Sequence, residues 1–118
     1  MMKPIIIKRI YEAVSSQDGY RILVDRIWPR GVSKLKAHLD EWDKEMAPST
    51  ELRKWFDHQE ERFAEFEIKY KEELQSQQAE LDRIREIAAT QQVTLLYAAK
   101  DTQFNQAVVI KNILNSTL

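Results

Sequence analysis

The 118-residue chain contains no cysteine. That absence excludes structural disulfides, thiolate catalysis and any cysteine-ligated zinc. Glycine is almost as scarce, with only Gly19 and Gly31, so there is no glycine-rich phosphate loop. The G-x-S-x-G turn of serine hydrolases is missing as well. The two histidines, His38 and His58, are scattered and lack a ligand-spaced carboxylate partner. Neither a metal site nor a cofactor is expected. No stretch approaches the roughly 20 apolar residues of a membrane span, and the N-terminus lacks the apolar core of a signal peptide. A cytoplasmic protein with no membrane partner is therefore expected.

What is present suits a domain that buries its own core. Hydrophobic residues make up 43% of the chain, and a domain of this length buries roughly two-thirds of its unfolded surface. The reading is one domain over residues 1–118. The net charge of −1 hides a division along the chain. Residues 1–36 hold eight Lys/Arg against three Asp/Glu, whereas residues 37–86 hold eight against fifteen. A basic N-terminal third favours anions locally. The overall balance is not that of a dedicated nucleic-acid binder.

Periodicity gives the elements. Met2 to Ile10 and Tyr20 to Asp25 are predicted strands, separated by a loop with the turn chemistry of Ser15, Ser16, Asp18 and Gly19. Leu39 to Trp42 is either a short edge strand or one helical turn. Ser49 or Thr50 caps a helical region in which Leu52, Trp55, Phe56, Phe63, Phe66, Tyr70 and Leu74 recur at three and four. This is one long helix, or two with a break near His58. A further helix carries Leu81, Ile84, Ile87 and Ala88. Val93 to Ala99 is apolar at nearly every position, as in a central strand covered on both faces. A last helix is expected from about Gln103 to Asn115. Strands alternating with helices indicate an α/β layered fold, a partly parallel sheet flanked by helices.

If the second strand and Val93–Ala99 run parallel, their carboxyl ends share the sheet edge where α/β proteins usually bind ligands. Asp25-Arg26-Ile27-Trp28-Pro29-Arg30 would then face Lys100, Asp101 and the start of the last helix. Arg26 and Arg30 offer forked donors to phosphate or carboxylate oxygens, and Lys100 offers a point charge. Asp25 and Asp101 are the candidate catalytic residues, as bases if desolvation raises a pKa, or they orient the arginines; the bland reading is that Asp25–Arg26 and Lys100–Asp101 are alternating solvated charges at strand ends. Trp28 stacks on a base or caps the core beneath its loop. Tyr97 reaches the site or is a core tyrosine with a satisfied hydroxyl. The aromatic stripe from Trp55 to Tyr70 is core, or the face of a homodimer.

The strings Asp18 to Gly31, Ala47 to Phe56 with His58, Phe66 to Tyr70 with Glu73-Leu74, and Leu95 to Asp101 with Asn105 carry a resemblance. Together they resemble the bacterial family called domain of unknown function 488, in its short YeaO-like branch. The resemblance covers almost the whole chain and implies a small α/β protein, with no established activity, substrate or cofactor. It carries forward Asp25, Arg26, Trp28, Pro29, Arg30, Lys34, Ser49, Arg53, Lys100, Asp101 and Asn105 as motif positions. Longer members of the family have a Cys-His-Arg group after the last strand. This chain reads Phe104-Asn105-Gln106-Ala107 there, so chemistry relying on that group is not expected of it.

If Lys34 and Arg53 join Arg26, Arg30 and Lys100 around one cavity, their repulsion calls for an anion or a partner. The leading expectation is a domain binding a phosphorylated or other anionic small ligand, through Arg26, Trp28, Arg30, Lys34, Arg53, Tyr97, Lys100 and Asn105. A hydrolase or transferase acting on a nucleotide or nucleic-acid end is its enzymatic version. The rivals are a regulatory nucleic-acid-binding protein, which is less favoured, and an interaction module.

Overall fold

The computed structural model describes residues 3–116. Four strands form one sheet in the order β1-β4-β2-β3. They are β1 (Ile6–Arg9), β2 (Tyr20–Leu23), β3 (Glu41–Trp42) and β4 (Val93–Tyr97). Each of the three pairings is parallel, so the expectation of partial parallelism is exceeded. The reason lies in β4. All five of its residues are buried, as its unbroken apolar run requires of a strand flanked on both edges and covered on both faces.

Several boundaries are shorter than the sequence pattern suggested. Of the first predicted strand, Met2 lies outside the described residues, and regular pairing begins only at Ile6. Pro4 has no N–H to give, and the N–H and carbonyl of Ile5 bond the side chain of Asn115 at 2.9 and 3.0 Å. The second strand ends at Leu23, although the Val24 N–H still reaches the Leu96 carbonyl at 3.0 Å. Asp25 then turns its side chain back toward β4. Leu39 to Trp42 resolves as the two-residue edge strand, β3.

The helices are α1 (Lys34–Ala37), α2 (Thr50–Phe56), α3 (Phe63–Leu74), α4 (Gln78–Thr90) and α5 (Gln106–Asn115). The break near His58 is real. Asp57 and His58 both take left-handed backbone conformations, at φ 47° and 54°, and that separates α2 from α3. Ser49 is the N-cap of α2; its Oγ accepts from the Leu52 N–H and donates to Glu73 Oε2 on α3, at 3.1 and 2.6 Å. The last helix starts later than expected. Asp101 Oδ1 accepts from the N–H groups of Gln103 and Phe104, which holds that stretch in a turn until Asn105 caps α5.

Alternation along the strands divides the core in two. Ile22, Val93, Leu95 and Tyr97 pack with Phe56, Phe66, Tyr70, Leu81, Ile84 and Ile110 from the helices. Leu23 and Leu96 face the other way and meet a smaller cluster with Ile10 and Ala37, closed by Trp28 and Trp42. Within the aromatic stripe of α2 and α3, Phe56, Phe66 and Tyr70 are core, Trp55 and Phe63 are partly buried against it, and the Tyr70 hydroxyl donates to the Met46 carbonyl. Among the described residues, no helix is long and apolar enough to cross a membrane.

Candidate functional site

Because β1, β4, β2 and β3 are all parallel, their carboxyl ends gather at one edge. The loop after β2 and the turn after β4 meet there, as the sequence suggested. Asp25 is the junction. One carboxylate oxygen accepts from the Ala98 N–H at 3.0 Å, and the other accepts from the Gln106 side-chain amide at the start of α5. Burial pushes the Asp25 carboxyl up to about 6; those two hydrogen bonds and the nearby Arg53 guanidinium work against the rise without cancelling it. Asp25, Arg53 and the first residue of α5 thus form one electrostatic group.

The neighbouring motif residues have other partners. Arg26 donates from Nε to the Pro48 carbonyl at 3.0 Å and from Nη2 to the Ala47 carbonyl at 3.1 Å, tying the loop after β2 to the entry of α2. Trp28 donates to the Val32 carbonyl at 2.7 Å and meets Trp42 edge-on at 5.1 Å, so it closes the smaller core cluster. Arg30 and Lys34 are exposed, and neither forms an ion pair among the described residues.

Across the edge, Tyr97 is buried and its hydroxyl is hydrogen-bonded to Asn105. Burial raises its pKa above the usual phenol value, and Glu12 adds to the rise while Arg9 opposes it. Asn105 is fully engaged in building the turn: its amide donates to the Asp101 carbonyl at 2.8 Å and its oxygen caps the Val108 N–H at 3.1 Å. Lys100 is exposed. Two cavities adjoin Ser49, of about 530 and 300 Å³. The larger is lined by Glu51, Glu72 and Glu73 with Trp55 and Lys69, the smaller by Glu45 and Glu73 with Arg26. Of the five expected cations, only Arg26 lines either.

Residues 4–118 match the family model described as the inactive DUF488-N3 subclade. The chain belongs to that family. It is 50% identical over 109 residues to the uncharacterized protein YeaO of Escherichia coli K12, covering 92% of this chain and 95% of the relative. It is also 41% identical over 109 residues to the uncharacterized protein Rv3073c of Mycobacterium tuberculosis H37Rv, covering 92% of each. No solved structure matches the chain. The resemblance read from the motif strings is thus a true family membership.

In this DUF488 chain the motif reading missed three features. Gln106 holds Asp25, yet an isolated glutamine carries no sequence signal. Arg9, at the end of β1, donates to the Ala99 and Ala98 carbonyls at 2.9 and 3.2 Å and closes the end of β4. Arg21 is buried, and bridges Asp18 to the carbonyls of Ala37 and His38. Asp18 also receives Lys8 Nζ at 3.1 Å. Burial alone would raise the Asp18 carboxyl, but the Ser15 N–H, Lys8 and Arg21 hold it below its ordinary value. A signal existed for this group: a lone arginine within the apolar run from Tyr20 to Val24.

Proposed function

We propose that this chain is a recognition domain without catalysis of its own, holding an acidic, partly apolar protein segment against residues 26–38. One observation carries the reading. The segment from Arg26 to His38 holds four Lys/Arg and no acid, and the exposed Arg30, Lys34 and Lys36 alternate with Ile27 and Leu35, which are 58% and 84% exposed. Cations beside exposed aliphatic chains match a partner carrying both carboxylates and apolar residues better than they match a bare phosphate. The absence of catalysis is supported by three facts. Both Asp25 oxygens are already hydrogen-bonded, and among the described residues no hydroxyl or imidazole bonds to it. The Cys-His-Arg group of longer relatives has no counterpart here. The subclade matched by the chain is described as inactive.

The test is fluorescence anisotropy with a labelled peptide of alternating glutamates and leucines. Binding that weakens with salt, is lost in Arg30→Glu/Lys34→Glu and is reduced in Leu35→Ser supports the reading. No binding, or binding indifferent to those changes, refutes it. A second reading is favoured by the raised Asp25 carboxyl beside Arg53 and α5, with Lys100 exposed near the same edge. On that reading the edge takes a phosphorylated small ligand. Stabilisation by phosphate, pyrophosphate or a nucleotide that disappears in Arg53→Ala supports it, and no stabilisation by any of them removes it.

A further inference from the structure

The cavity of about 530 Å³ beside Ser49 lies between α2 and α3, and its character is opposite to that of residues 26–38. Leu52 and Trp55 of α2 give it an apolar lining, and Glu51, Glu72 and Glu73 stand around them with Lys69. Glu73 is committed to Ser49, whose N–H and Oγ donate to its two oxygens at 2.9 and 2.6 Å. Lys69 is committed as well: its Nζ lies 3.1 Å from Glu65 Oε2 and 4.5 Å from the centre of the Trp55 ring. Glu51 and Glu72 are exposed, and neither forms an ion pair among the described residues. The groove therefore sets three carboxylates against one ammonium group, around a half-buried tryptophan.

Residues 26–38 carry the counterpart. Leu35 stands in solvent on a turn that is anchored beneath it. Ser33 caps α1 by accepting from the Lys36 N–H at 3.1 Å, Ala37 is buried, and Arg21 donates to the Ala37 and His38 carbonyls at 3.0 and 3.1 Å. Lys34 and Lys36 flank the leucine and are both exposed. A leucine exposed alone needs no explanation, but one held between two lysines on an anchored turn presents apolar contact and positive charge together. The two surfaces cannot meet within one chain. Trp28, Val32 and Ala37 pack in the smaller core cluster on one side of the sheet, whereas Leu52 and Trp55 belong to the larger cluster on the other.

We propose that the acidic, partly apolar surface received by residues 26–38 is the α2–α3 groove of a second copy of this chain, with Leu35 against Leu52 and Trp55 and with Lys34 and Lys36 facing Glu51 and Glu72. The inference rests on the reading of residues 26–38 as a recognition surface and names its partner. Charge complementarity selects that partner: a second copy brings three carboxylates to a segment that holds four Lys/Arg and no acid. Because segment and groove lie on opposite sides of the sheet, the contact is heterologous and runs head to tail, so copies add in series as concentration rises. A contact of a few residues with charges at its rim is weak and transient, with a dissociation constant in the micromolar to millimolar range, and is screened by salt.

The experiment is sedimentation equilibrium of the full chain up to millimolar concentration, at about 0.05 M and about 0.5 M salt. The wild type is expected to gain mass with concentration at low salt and to lose that gain at high salt. Lys34→Glu/Lys36→Glu and Glu51→Lys/Glu72→Lys are each expected to stay monomeric, and circular dichroism checks that both are folded. Their equimolar mixture is expected to associate again, since the reversed charges match across copies, and a misfolded variant could not give that rescue. Leu35→Ser should weaken association severalfold. The glutamate–leucine peptide separates this inference from the reading it rests on. A wild type that binds the peptide yet stays monomeric at millimolar concentration overturns the second copy and leaves the recognition surface standing; one that does neither overturns both. Association that ignores salt and survives both charge reversals overturns the proposal equally, because the copies would then meet elsewhere. A mixture of the two variants that stays monomeric does the same.

Discussion

Replacing Asp25 by asparagine is expected to stabilise the protein at neutral pH. In the folded chain the Asp25 carboxyl is pushed up to about 6 from 3.8, chiefly by burial. An acid whose folded pKa exceeds its unfolded value is held more tightly protonated in the folded state. Stability contributed by that proton is complete below the unfolded value and is lost as pH rises toward 6. The loss amounts to about 3 kcal/mol, complete above pH 6 and absent below pH 4. Asparagine keeps an oxygen for the Ala98 N–H, and the Gln106 amide can turn its own oxygen toward the new NH₂ group. The variant therefore avoids the ionisation cost and gives up only the attraction to Arg53. A gain of about 1–3 kcal/mol at pH 7.5 follows, or on the order of 5–10 °C in melting temperature for a domain of this size. Paired urea denaturation of wild type and Asp25→Asn at pH 4, 5, 6 and 7.5 measures it, since every other carboxylate titrates alike in both proteins. A difference that does not change with pH, or an asparagine variant less stable at pH 7.5, would refute the reasoning.

Two further perturbations address the scaffold. Asp18→Ala strands the buried Arg21 guanidinium without its counter-charge and should cost about 3–5 kcal/mol, read as a fall of roughly 10–20 °C in thermal melting. Lys8→Ala, at the more exposed end of the same group, should cost far less, and equal losses would contradict the assignment of Asp18 to Arg21. Because the folded Asp18 carboxyl is lowered, its contribution is present above its unfolded pKa and disappears as pH falls through the folded value; the variant should lack that acid-side loss. Gly19→Ala and Gly31→Ala share a positive φ, 66° and 79°, but differ in space: a Cβ on Gly19 would collide with the Gln92 carbonyl, whereas one on Gly31 meets nothing. Gly31→Ala should cost about 1–2 kcal/mol from backbone strain alone, and Gly19→Ala clearly more in chemical denaturation.

Much of the fold was legible because it is written in periods. β4 announced itself as a central strand through an unbroken apolar run, and α3 and α4 through apolar residues at three and four. The boundaries were less legible, since they depend on capping side chains whose partners are distant. Asp101 delays α5 by holding Gln103 and Phe104, and Asn115 takes over the pairing of Ile5 from more than a hundred residues away. Asp25 was legible as the junction of two chain segments, because parallel strands bring their carboxyl ends together. The identity of its partners was not, since a backbone N–H and a lone glutamine leave no pattern.

The arginines expose what a count of charges misses. Arg9, Arg21 and Arg26 each spread a guanidinium over two consecutive backbone carbonyls, those of Ala98 and Ala99, Ala37 and His38, and Ala47 and Pro48. In each case the carbonyls lie where regular structure stops and their intended partners have run out, so the planar fork supplies two donors at fixed spacing where a lysine would supply a mobile point charge. A chain with no cysteine, three prolines and two glycines has few other means of fixing its loops. Of the arginines that look like ligand-binding groups in sequence, Arg26 is such a staple, whereas Arg30 and Arg53 are exposed. Arg30, Lys34 and Lys36, exposed and without an ion pair among the described residues, are carried on the loop tip and the short α1 that the staples of Arg21 and Arg26 hold in place. Forks tied to loop carbonyls and cations left in solvent thus give a nearly neutral chain a basic, partly apolar surface over residues 26–38.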